Sequence, residues 1–211
     1  MDAEEGAGVL SKPRSRSRMA GFTAIELMTA VSILAILLGI GIPSLVDWVR
    51  NNRVRVVANA LQSGLRGAQS DALSRSEPVV LFLTNAKVES TTSAFSADAN
   101  GKFWAAVTVP GLMAADTATL LNSGVLGDMA DGVTITGPSA ICFNSLGRLS
   151  ANSAPGPAGA SCSLPATTAS VFDIDMPNAK RHLRVMVSIG GQVRMCDRDK
   201  DIAQYPDGCP T

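Results

Sequence analysis

Gly21–Pro43 reads GFTAIELMTAVSILAILLGIGIP. From Phe22 to Ile42 these are 21 residues whose only charged member is Glu26. As a helix they would span about 31 Å, enough to cross the hydrocarbon core of a bilayer. The stretch is therefore read as a membrane segment, and the rest of the chain is arranged around it. Ahead of it stands KPRSRSRMAG, in which Lys12, Arg14, Arg16 and Arg18 form a basic flank of the kind that stays cytoplasmic. That predicts an N-in, C-out topology. Arg50, Arg53 and Arg55 follow on the other side, so the orientation needs support from elsewhere.

The cysteines supply it. All four, Cys142, Cys162, Cys196 and Cys209, lie in the C-terminal part of a 211-residue chain and suit two disulfides in an oxidising compartment. A zinc site is the rival reading, but the chain has a single histidine, His182, and no CxxC pair. Three connectivities are open. The local pairs Cys142–Cys162 and Cys196–Cys209 are expected, the second folding the acidic C-terminal segment back onto the strand before it. Lys plus Arg and Asp plus Glu both number 18, so no global charge excess points to nucleic acid or to an acidic ligand. The length suits one soluble head plus a helix. No cofactor or metal is implied.

An ordinary secretory signal would be cut after the apolar run, near Gly39, Gly41, Pro43 and Ser44. Glu26 argues against this, because a carboxylate near the start of a lipid-facing helix is costly and calls for a specific partner. A cut between Gly21 and Phe22 would create an α-amino group four residues before Glu26, on the same helical face.

The string from Gly21 to Pro43 resembles the class III signal of type IV pilins and type II secretion pseudopilins. Gly21 precedes the cut, Phe22 follows it, Glu26 is the fifth mature residue and Pro43 the twenty-second. The resemblance implies cleavage by prepilin peptidase, methylation of the Phe22 amine and retention of the apolar segment as an assembly helix in the bacterial inner membrane. Other pilins or pseudopilins would then be the partners. Glu26 would neutralise a Phe22 amine, its own or a neighbour's, as subunits stack. The resulting organisation is a cytoplasmic leader at 1–21, longer than that of many pilins, and a transmembrane half-helix at 22–43. An amphipathic half-helix at 44–76 and a β-rich periplasmic head at 77–211 complete it.

Val54, Val57, Leu61, Leu65, Ala68 and Ala72 recur at steps of three and four and define a buried stripe. Arg50, Arg53, Gln62, Arg66 and Gln69 fall mostly off it and are expected to be solvated or partner-facing. Pro43 should kink or loosen the helix, and Gly64 and Gly67 weaken it or allow close packing. Pro78 turns Glu77 away from helix, which predicts an end near Ser76. Short β-type runs follow: VVLFLT from Val79, FWAAVTV from Phe103, GVTITG from Gly132 and VFDIDM from Val171. Ser150–Ser161 is a Pro, Gly and Ala loop, mobile unless a disulfide ties it down. The fold class is α+β, with a long N-terminal helix packed on an antiparallel β-rich head.

In RHLRVMVSIGGQVRMC, Leu183, Val185, Val187 and Ile189 alternate with His182, Arg184, Met186 and Ser188, as in a half-buried strand. A two-residue Gly190-Gly191 turn would set Val187 against Arg194 and mix the faces. A three-residue loop, Ile189–Gly191, pairs Val187 with Val193 and Val185 with Met195, with a glycine in the left-handed position. That register gathers His182, Arg184, Arg194 and Arg198 on the outer face.

FNSLGR at Phe143–Arg148 and the VSIGGQVRMC hairpin resemble the GspH/FimT family of minor pilins and pseudopilins; Lys87–Leu126 carries no such likeness. Some members bind DNA through a GRxR motif. Here Gly191, Gln192, Val193 and Arg194 occupy it, so its first arginine is glutamine, and Asp197, Asp199 and Asp201 stand close enough to oppose a polyanion. DNA is thus the weaker partner, with Lys180, Arg181, Arg184, Arg194 and Arg198 as the contacts. No GxSxG string or metal spacing supports an enzyme, and His182, Asp173 and Asp175 would suit a hydrolase only if the fold brought them together with a serine. The expected function is a structural minor pilin of a type IV pilus. The alternatives are a GspH-like type II pseudopilus component or a FimT-like DNA-binding pilin.

Overall fold

The structure is a computed structural model, and it describes residues 21–89, 94–111, 117–127 and 131–210. The expected leader up to residue 20, including the basic flank Lys12–Arg18, lies outside the described residues. Two compact units divide at Ile42/Pro43. The first described element, α1 (Ala24–Arg75), runs through Pro43 as one helical span. Its apolar part is long and apolar enough to cross a membrane, and none of it is buried.

Within the second unit, the predicted stripe Val54, Val57, Leu61, Leu65, Ala68 and Ala72 is buried along its length. The helix ends at Arg75, with Ser76 at φ 57° in the left-handed position that closes many helices, and Pro78 two residues on. Gly64 permits a close approach: a Cβ there would lie 2.8 Å from the Trp104 ring. Gly67 has no such neighbour.

Two antiparallel-dominated sheets receive the stripe. The first has β1 (Val79–Thr84), β2 (Phe103–Thr108), β3 (Leu120–Val125) and β5 (Ala140–Phe143), in the order β3-β2-β1-β5. The second has β4 (Thr134–Thr136), β6 (Ala169–Asp175), β7 (Leu183–Ser188), β8 (Val193–Asp201) and β9 (Gly208–Cys209), in the order β4-β6-β7-β8-β9. Val79, Leu81 and Leu83 of β1 and Val185, Val187 and Val193 of the second sheet join the helix in one core. Val80 and Phe82 point the other way, into a second cluster with Ala160 and Cys162. Burial on both faces is why VVLFLT reads as an unbroken apolar run rather than an alternating one.

The loop Ser150–Ser161 is tied down. Asn152 and Cys162 exchange backbone hydrogen bonds at 2.9 and 2.8 Å, and Ala97 N donates to Ala158 O at 2.8 Å. Three side chains of the helix's polar side also differ from expectation. Arg66 Nη2 donates to Val193 O at 3.2 Å and Gln69 Nε2 to Gly147 O at 3.0 Å, so both serve the head rather than a partner. Arg53 Nη1 donates to Asp131 O at 3.1 Å.

Candidate assembly segment and head surface

Gly21 and Phe22 are exposed, and the helix begins two residues after Phe22, at Ala24. Thr23 Oγ1 accepts a hydrogen bond from Glu26 N at 3.3 Å, and Leu27 N donates to Thr23 O at 3.2 Å. Thr23 is thus the N-cap and Glu26 the third helical residue, the T-x-x-E order of a capping box. A carboxylate there also meets the positive end of the helix dipole. This second, local reason for Glu26 is legible in the sequence as TAIE. Further in, Thr29 Oγ1 donates to Glu26 O at 2.9 Å and Ser32 Oγ to Met28 O at 2.8 Å. Hydroxyls satisfied by their own helix can sit in an apolar stretch without needing water.

In the head, Cys142 is bonded to Cys162 and Cys196 to Cys209. The first closes the Pro/Gly/Ala loop onto β5. The second holds the two-residue β9 beside β8.

The β7–β8 hairpin has Val187 opposite Val193 and Val185 opposite Met195. Ser188 N donates to Gln192 O at 3.0 Å, which leaves Ile189–Gly191 as the loop, and Gly191 has φ 92°. The two motifs FNSLGR and VSIGGQVRMC meet here: Leu149 N donates to Ile189 O at 3.1 Å, and Gly147 O accepts from Gln69 of the helix.

On the outer face, β6 lies beside β7 with Asp173 directly opposite Arg184. Arg184 donates from Nε and Nη2 to the two Asp173 oxygens at 2.7 and 3.0 Å. Arg198 reaches across to Asp175 at 3.0 and 3.2 Å and lies 3.3 Å from Asp173. His182 Nδ1 is 2.7 Å from the same Asp175 carboxylate. Burial alone would raise the Asp173 pKa, but hydrogen bonds and charge from Arg184 and Arg198 outweigh it and hold it below the usual carboxylate value. Arg184 is raised in turn, first by its hydrogen bond to Asp173.

The remaining candidates are engaged as well. Lys180 Nζ lies 2.7 Å from Asp47, whose pKa that hydrogen bond lowers. Arg181 lies 3.6 Å from Asp197 and 4.0 Å from Asp207, and among the described residues Arg194 Nη2 reaches only the Gly208 carbonyl, at 3.5 Å. The five basic residues therefore do share a region, but four of them face carboxylates of their own chain. The neutralising residues are chiefly Asp173 and Asp175, where the sequence pointed to Asp197, Asp199 and Asp201. Asp197 is in fact buried.

No family model matches the sequence, and no curated protein matches it at a significant level. Among solved structures the fold is similar to the type IV minor pilin FimU of Pseudomonas aeruginosa. The identity is 18%, over 75% of this chain and 96% of that one, with a TM-score of 0.46. It is also similar to EpsH, a minor pseudopilin from the type 2 secretion system of Vibrio cholerae. Here the identity is 10%, over 69% and 97% of the two chains, with a TM-score of 0.42.

Proposed function

We propose that the chain is a structural minor pilin, cut by prepilin peptidase between Gly21 and Phe22 and incorporated into a type IV pilus. Glu26 carries the reading. It is the one charge in the apolar run 22–42, it stands in the first turn of α1, and the cleavable Gly21–Phe22 bond lies just ahead. In an apolar surrounding an ionised carboxylate calls for a cation, and a newly made Phe22 amine, its own or a neighbour's, supplies one. Pro43 removes a helical hydrogen bond at the end of that run, which lets the membrane half adjust as it leaves the bilayer for the filament. Two disulfides, which persist in an oxidising compartment, support a periplasmic head.

The direct test is N-terminal mass spectrometry of protein extracted from membranes. A methylated Phe22 terminus is expected; a terminus near Ser44 would make this an ordinary secreted protein. The type II secretion pseudopilus offers the same chemistry to the same segment. Loss of pili in a deletion strain supports the pilus, whereas loss of enzyme secretion supports the pseudopilus.

The DNA-binding alternative is the weaker one. Phosphate contacts need cations free to pair, and Arg184 and Arg198 are already held by Asp173 and Asp175.

A further inference from the structure

Within the second unit a cleft of about 120 Å³ is lined by Trp48, Asn51, Asn52, Arg55 and Arg181. We infer that this cleft binds the phosphate group of an anionic phospholipid in the membrane that the apolar helix crosses. The inference rests on the membrane reading of Phe22–Ile42.

The donors fit an anion. Arg55 is exposed and makes no ion pair among the described residues. Arg181 is held only loosely, at 3.6 Å from Asp197 and 4.0 Å from Asp207, so its guanidinium retains donors for a further acceptor. Asn51 Oδ1 accepts from Lys180 N at 2.9 Å, which fixes the amide so that its NH2 group is left to donate. Planar guanidiniums beside amide donors are the side chains that recognise phosphate oxygens in a bidentate manner. Around the cleft, Arg50, Arg55, Lys180, Arg181 and Lys200 outnumber Asp47, Asp197 and Asp207, so the region keeps a positive excess despite its ion pairs.

The position selects a lipid over a free anion. Trp48 follows Ile42 by six residues, which is no more than about 20 Å of chain in any conformation. Trp48 is 65% exposed, the arrangement expected of a residue whose ring lies among headgroups. Basic side chains immediately beside a spanning helix draw anionic lipids by charge.

The test uses the full-length protein in nanodiscs of phosphatidylcholine, with or without about 30 mol% phosphatidylglycerol, and reads acrylamide quenching of tryptophan fluorescence. Trp104 is only 8% exposed, so the response reports Trp48. Phosphatidylglycerol is expected to lower the quenching constant about twofold, and Arg55→Gln to abolish the difference. Equal quenching in both discs, or protection that survives Arg55→Gln, overturns the inference. Protection in phosphatidylcholine discs by added glycerol phosphate would assign the cleft to soluble phosphates and overturn the lipid source. Protection that depends on protein concentration would assign it to a second protein copy. A chain that enters neither disc overturns the membrane reading, whereas one that enters both without a lipid effect overturns the inference alone.

Discussion

Gly191 lies so close to Gly147 that a Cβ on it would fall 1.9 Å from the Gly147 carbonyl oxygen. That oxygen also accepts from Gln69 Nε2, so helix, FNSLGR loop and hairpin loop converge on one atom. With φ at 92°, Gly191 has both steric and conformational reasons to lack a side chain. Gly191→Ala is expected to destabilise the head by about 2–4 kcal/mol. Gly190→Ala, whose Cβ would meet only Ser188 Oγ at 3.7 Å, should have little effect. Thermal melts of the two variants check this, and equal melting points would refute it.

The Asp173–Arg184 pair predicts acid sensitivity of a definite sign. The Asp173 pKa is depressed in the folded head, so its contribution is complete above the ordinary carboxylate value, about pH 4. It is lost as the pH falls through the depressed folded value. Asp173→Asn should cost about 1–2 kcal/mol at neutral pH, leaving Arg184 and Arg198 short of a counter-charge. The gap between wild type and variant should narrow below pH 4. Urea midpoints measured across the acid range would show it; a constant gap contradicts the pairing.

Removing the Cys196–Cys209 bond by a double Ser substitution is expected to cost about 3 kcal/mol in the chain-entropy model. The separation closed is 13 residues. Without the bond, β9 has two residues to hold it, and Asp207 should drift from Lys200, which it contacts at 2.6 Å. Faster acetylation of Lys200 in the variant, read by mass spectrometry, reports that release independently of stability. Unchanged labelling would mean that β9 is held by pairing alone.

Two substitutions at Glu26 separate its possible roles. Glu26→Gln keeps a side chain suited to the capping box and removes the charge; Glu26→Ala removes both. If the charge is what assembly uses, both variants should insert into membranes normally and both should be depleted from sheared filaments. Recovery of Glu26→Gln at wild-type levels would leave helix capping as the residue's task.

For DNA, the head from about Arg50 onward is expected to shift DNA weakly or not at all at physiological salt, irrespective of base sequence. Arg194 has the fewest internal commitments of the five basic residues, so any residual binding should fall in Arg194→Ala. Gln192→Arg should raise binding by completing the motif, and Asp173→Asn with Asp175→Asn should raise it by releasing Arg184 and Arg198. Tight binding by the unmodified head that Arg194→Ala abolishes would move the protein to DNA uptake.

Local order made much of the fold readable from the chain. The helix stripe follows from spacing, the helix end from Pro78, and the hairpin register from the requirement that Val185, Val187 and Val193 share a face. Strands β3, β5 and β9 were not legible. LLNSGV carries Asn, Ser and Gly, AICF is four residues long, and Gly208–Cys209 is a strand only because β8 and a disulfide stand beside it.

The candidate surface divides in the same way. Charge, apolar length and the Gly21–Glu26 spacing are properties of consecutive residues, so the apolar segment and its lone carboxylate were determined before folding. The cleft at Trp48 and the fate of the arginines were decided by tertiary structure. Asp173 meets Arg184 across eleven residues because the β6–β7 register sets them opposite each other, and Arg198 meets Asp175 across twenty-three by reaching from β8 over β7 to β6. Electrostatic pairing depends on distance in space, and no periodicity along the chain encodes which carboxylate a given guanidinium will face.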